Sequence, residues 1–119
     1  MELPLSEISR LLYELPAQIA SKAKAAEEAL KAQLICEAEY DRLRAGTFLA
    51  FKAENVGMTQ KEIDSQVLQS EPVYQKRLDA INLECTARKL KCEVTELDDK
   101  FTGVKKLVSL REMEMRNLG

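Results

Sequence analysis

Histidine and tryptophan are both absent from this 119-residue sequence, and aromatic residues make up only 5% of it. Without histidine, the commonest general base and the commonest nitrogen ligand for metals are missing together. The four glycines are scattered and form no phosphate-cradling loop, and the three cysteines, Cys36, Cys85 and Cys92, include no Cys-x-x-Cys pair. An odd number of cysteines makes a poor disulfide framework. Cys85 and Cys92 lie two turns apart, about 10 Å on one helix, which is too far to bridge. No stretch approaches the roughly 20 apolar residues of a membrane span. Glu2 and Glu7 flank the short apolar run at the start, where a signal peptide would need continuity. The expectation is a non-enzymatic protein with no cofactor, no metal and no membrane span, residing in a reducing cytoplasm with its thiols as packing residues.

What is present is charge and helix-forming sequence. Charged residues reach 32% and hydrophobic residues 45%, which suits one soluble helical domain. Up to Ser70 there are 8 basic and 11 acidic residues; from Glu71 on there are 10 and 9. Neither half has the basic excess of a dedicated duplex-DNA binder. Glu37 and Asp41 stand one helical turn apart and read as solvated carboxylates rather than a cation site.

The stretch from Pro72 to Leu118 dominates the chain. Val73, Ala80, Ala87, Val94, Phe101, Val108 and Met115 recur in sevens, and Lys76, Leu83, Leu90, Leu97, Val104, Arg111 and Leu118 follow three residues behind. Steps of three and four define a coiled-coil seam on one helix over about 72–118, a rod on the order of 70 Å long. Such a helix needs a second long helix, or copies of itself, to cover the seam.

Ahead of it, Ser6 caps a short amphipathic helix over about 5–15, and Pro16 marks a bend. A second long helix follows over about 17–54, rich in Ala, Leu, Lys and Glu. Its apolar positions Ile19, Ala23, Ala26, Leu30, Leu34, Ala38, Ala45 and Phe48 drift toward an eleven-residue repeat. Asn55 and Gly57 end it. Thr59-Gln60-Lys61-Glu62 is a capping box that opens a connector helix over about 59–69, and Ser70-Glu71-Pro72 starts the last helix. The fold class expected is an all-α, elongated antiparallel helical hairpin or coiled coil, a single domain over 1–119. A return point near residue 63 would set Cys36 beside Cys92.

A second apolar stripe, Tyr74, Leu78, Ile81, Cys85 and Cys92, lies off the seam of the last helix. It calls either for the connector and the N-terminal helix to fold over it or for another subunit, so a homo-oligomer interface is expected there. Arg42 and Arg44, bracketed by Tyr40 and Phe48, form one basic group. Arg88, Lys89 and Lys91 form another, and Lys100, Lys105, Lys106 and Arg111 a third. Basic tracks with aromatic platforms are how single strands are held.

The order of a short N-terminal helix, a long alanine-rich helix, T-Q-K-E-I-D-S-Q-V and a final helix ending G-V-K-K-L-V-S-L-R-E-M-E-M-R resembles the small helical proteins of phage recombination modules, in particular UvsY-type recombination mediators. That resemblance implies an oligomeric accessory protein in the host cytoplasm that binds single-stranded DNA and assists recombinase loading. Its partners would be the recombinase or single-strand-binding protein. Arg42 and Arg44, aided by Lys105 and Lys106, would contact phosphates, with Tyr40 or Phe48 stacking on bases. The alternative is a coiled-coil protein-interaction module, such as an assembly chaperone, scaffold or adaptor, with no nucleic-acid binding.

Overall fold

A computed structural model describes residues 4–118. They form three α-helices: α1, Leu5–Glu54, of 50 residues; α2, Gln60–Gln69, of 10; and α3, Glu71–Leu118, of 48. No strand occurs among the described residues, and the fold is an all-α antiparallel hairpin. The chain divides into two compact units, one holding the described residues up to Glu27 and from Arg88 onward, the other Glu28–Ala87.

In the first unit, the opening turns of α1 lie against the far end of α3. Ile8, Leu11 and Leu15 bury themselves with Val104, and Leu12, Leu97, Phe101 and Val108 close the cluster. Farther along the pair, Lys22 Nζ donates to Glu93 Oε2 at 2.8 Å. Residue numbers on α1 rise as those on α3 fall, so the two segments run antiparallel. Arg10 links Glu7 and Glu14 along the exposed side of α1.

Pro16 makes no break between a short helix and a long one, because α1 is continuous through it. Proline withdraws the backbone donor that the Leu12 carbonyl would take, at a cost of about 3 kcal/mol in a helix interior. The buried side chains in the turns before it offset this. Burying a leucine or isoleucine is worth about 1.5–3 kcal/mol, and this cluster includes Ile8, Leu11 and Leu15.

In the second unit, α1 ends in a tight turn. The Asn55 amide donates to Phe51 O at 2.9 Å, Asn55 Nδ2 donates to the same carbonyl at 3.0 Å, and Met58 N donates to Asn55 O at 3.2 Å. Gly57 sits at φ 102°, the left-handed geometry expected of a cap here. Thr59 Oγ1 then accepts the Glu62 amide at 3.2 Å, which starts α2. The α2 side chains Ile63 and Val67 bury against Tyr40, Leu43, Phe48 and Phe51 of α1 and Val73 of α3.

Lys76 of α3 donates to Glu39 of α1 in the same unit. Within this unit the pair sets the register about Gly57 rather than about residue 63. The final ten or so residues of α1 therefore extend past the start of α3, and α2 covers them instead. Cys36 in consequence lies by Asp79, Asn82 and Leu83, and the expected Cys36–Cys92 juxtaposition does not arise.

The seam read from α3 is the one the fold uses. Its positions from Val73 to Arg111 are buried or half-buried, while Met115 and Leu118 are exposed. On α1 the inward residues also keep a seven-residue step, through Ile8, Leu15, Ala29, Cys36 and Leu43, with Leu12, Ile19, Ala26, Gln33, Tyr40 and Thr47 between them. The expected eleven-residue drift is absent. Leu30 and Leu34, on which that reading leaned, lie outside the seam and are exposed.

Candidate interaction surface

Val73 and Tyr74 are chain neighbours that leave α3 about 100° apart. Val73 is 1% exposed in the core, whereas Tyr74 is 51% exposed. Steps of four and three from Tyr74 give Leu78 at 37% and Ile81 at 43%, and Cys85 is exposed one turn on. Among the described residues, neither way of covering this stripe within the chain is realised. Helix α2 spends its apolar side on α1, and the N-terminal turns of α1 pack on Leu97 to Val108. Three large apolar side chains therefore share one outward line on a rigid helix, an arrangement that monomeric surfaces seldom keep open.

Polar groups border the stripe. Arg77 is exposed and Glu84 half-buried on one side; Gln75 and Asn82 are exposed on the other. Gln75 Nε2 donates to Asp79 at 3.2 Å, and Asn82 O accepts the Thr86 hydroxyl at 3.0 Å. On α1 of the same unit, Leu30, Leu34, Ile35 and Leu49 are exposed apolar residues outside the expected interface. The seam periodicity could have found them: once Cys36 and Tyr40 take the inward positions, these leucines and Ile35 must point out.

The residues expected to hold nucleic acid separate. Arg42 borders a shallow groove with Leu43, Gly46 and Thr47; Arg44 borders another with Asp41, Phe48 and Asp64. Two residues apart on a helix means a rotation of about 200°, so the two guanidinium groups leave α1 on different sides. Tyr40 and Phe48 are half-buried against the Ile63, Val67 and Val73 cluster, where their rings serve as core. Lys105 and Lys106 belong to the other unit and are exposed, with Lys105 Nζ 4.6 Å from the Phe101 ring centre. Glu37 accepts a 3.0 Å hydrogen bond from Gln33 Nε2.

The cross-helix ion pairs are the electrostatic features of the hairpin. Lys22 hydrogen-bonds to Glu93 and holds its carboxyl below the usual carboxylate range. The Glu39 carboxylate does the converse for Lys76, raising its ammonium. Lys76 stands on a seam position, so its stem packs between the helices while its head reaches Glu39.

Among the described residues, no group of three or more Cys, Asp or Glu converges as a metal site, and no helix is long and apolar enough to cross a membrane. Comparison with family models, curated proteins and solved structures yields no match to this chain.

Proposed function

We propose that the chain is a coiled-coil protein-interaction module, a scaffold or adaptor, whose docking face is the outer stripe of α3 through Tyr74, Leu78 and Ile81. The single observation that carries this reading is the exposure of the stripe on a helix whose opposite face is already committed to the hairpin seam. A two-helix seam rich in alanine buries little. Tyr74, Leu78 and Ile81 sit outside it, where a partner gains most from covering them.

Single-stranded DNA binding by an oligomer, the activity implied by the recombination-mediator resemblance, has less support. Arg42 and Arg44 diverge, and Tyr40 and Phe48 are engaged in the core. Lys105 and Lys106 remain as an exposed basic pair for it. Titration of a labelled single-stranded oligonucleotide at two salt concentrations decides between the readings. No retention at low salt is the expected result. Binding that weakens steeply with salt, by about 0.7 in log–log slope for each phosphate neutralised, would return the protein to the nucleic-acid class.

A further inference from the structure

The stripe on α3 is self-complementary when a second α3 is laid against it in the opposite direction. Place a two-fold axis level with the midpoint between Asp79 and Ala80. Leu78 then meets Ile81 of the second copy, Tyr74 meets Cys85, and the same two contacts recur on the other side of the axis. The flanks match in the same register. Arg77 faces Glu84 of the second copy along one edge, and Gln75 faces Asn82 along the other. A parallel two-fold arrangement would exchange the edges, setting Arg77 and Glu84 against Gln75 and Asn82 of the second copy, so that no charge pair forms. Glu84 already has company within its own chain, and the new guanidinium would approach from the solvent side. A two-fold contact requires that if one residue touches another, the reverse contact also holds, and this stripe meets that condition at its apolar, charged and amide positions alike.

We propose that the occupant of the stripe is a second copy of this chain, docked through an antiparallel α3–α3 contact centred between Asp79 and Ala80. This rests on the interaction reading above and specifies its partner. Each partner contributes Tyr74, Leu78, Ile81 and Cys85 over about three turns of helix, a strip roughly 17 Å long and one helix wide. That is below the roughly 800 Å² per partner of a standard interface, which places the dimer in the weak class, with dissociation in the micromolar range.

Register is tested by cysteine chemistry in a chain carrying Cys36→Ala and Cys92→Ser. With Cys85 alone, the two thiols in the dimer lie roughly 16 Å apart along the helix axis, beyond the about 7 Å limit for bridging. Little disulfide dimer should form under mild oxidation. Adding Tyr74→Cys brings a thiol level with Cys85 of the other copy, and a covalent dimer should accumulate. Orientation is tested by charge reversal. Arg77→Glu alone should weaken self-association roughly tenfold, since two favourable pairs become repulsive. Arg77→Glu with Glu84→Arg should restore it. Dimer formation through Cys85 alone, or a double reversal no better than the single, overturns the antiparallel register. A wild type that sediments as a monomer at about 100 µM overturns self-docking altogether. If that monomer also ignores DNA, the interaction reading stands with a different partner.

Discussion

Lys22 reaches across the hairpin to Glu93, and the Nζ to Oε2 distance of 2.8 Å fixes the register of the first unit. The contact also gives Glu93 a depressed pKa, caused first by the hydrogen bond from Lys22 and then, in opposition, by desolvation. A carboxylate whose folded pKa lies below its unfolded value of about 4.5 contributes stability at pH above that value and loses it as pH falls through the folded pKa. The contribution of this ion pair to stability should therefore fade as pH falls below about 4.5. In Lys22→Met, carboxyl-detected NMR should show Glu93 titrating closer to its ordinary value. An unshifted Glu93 in both proteins would mean that the pair is not formed in solution.

Pro16 interrupts no helix yet deprives Leu12 of a backbone donor. Pro16 is exposed, so alanine there meets no packing constraint. Pro16→Ala should stabilise the fold by about 2 kcal/mol, somewhat less than the full proline penalty because proline also restricts the unfolded chain. Urea denaturation would check it, and a destabilised variant would show that the proline shapes α1 in a way its continuity conceals.

Glycines divide by backbone geometry. A methyl group at Gly46 or Gly103 meets no atom within 4 Å, and both sit inside helices. Each change to alanine should add up to about 1 kcal/mol. Gly57 has equal room but φ 102°, so Gly57→Ala should cost about 1 kcal/mol from strain alone. Thermal midpoints that move the same way for all three would contradict this division.

Leu15 is 1% exposed in the cluster formed with Val104. Leu15→Ala should destabilise by about 2–4 kcal/mol through lost burial and a residual cavity. Chemical denaturation that shows less than about 1 kcal/mol would mean that the opening turns of α1 are not held against α3.

Much of this architecture was legible in the sequence. The α3 seam, the Thr59 cap and the Gly57 turn could all be read because each depends on local periodicity or on one residue's backbone preference. The α1 seam was less visible. Gln33 and Thr47 occupy inward positions while Leu30 and Leu34 face out, so apolar pattern alone pointed to the wrong face. Register about Gly57 depends on α2 doubling back along the end of α1, a tertiary choice that length and capping do not fix. In the candidate nucleic-acid site, Arg42 and Arg44 looked clustered because they are near in sequence, although a helix turns them apart. Tyr40 and Phe48 looked like platforms until Ile63 and Val67 were found packed against them.

The central claim is that α3 has one face committed to the hairpin and another left for a partner, and thermal unfolding by circular dichroism at about 1 µM separates the two faces most directly. Val73→Glu places a charge where exposure is 1%; Leu78→Glu and Ile81→Glu together place charges on the outer stripe. The stripe variant should keep wild-type helicity and melt within about 3 °C of the wild type, while Val73→Glu should lose several kcal/mol and unfold far earlier. A stripe variant that unfolds as readily as Val73→Glu would show that Tyr74, Leu78 and Ile81 belong to the core of the protein and not to an interaction surface.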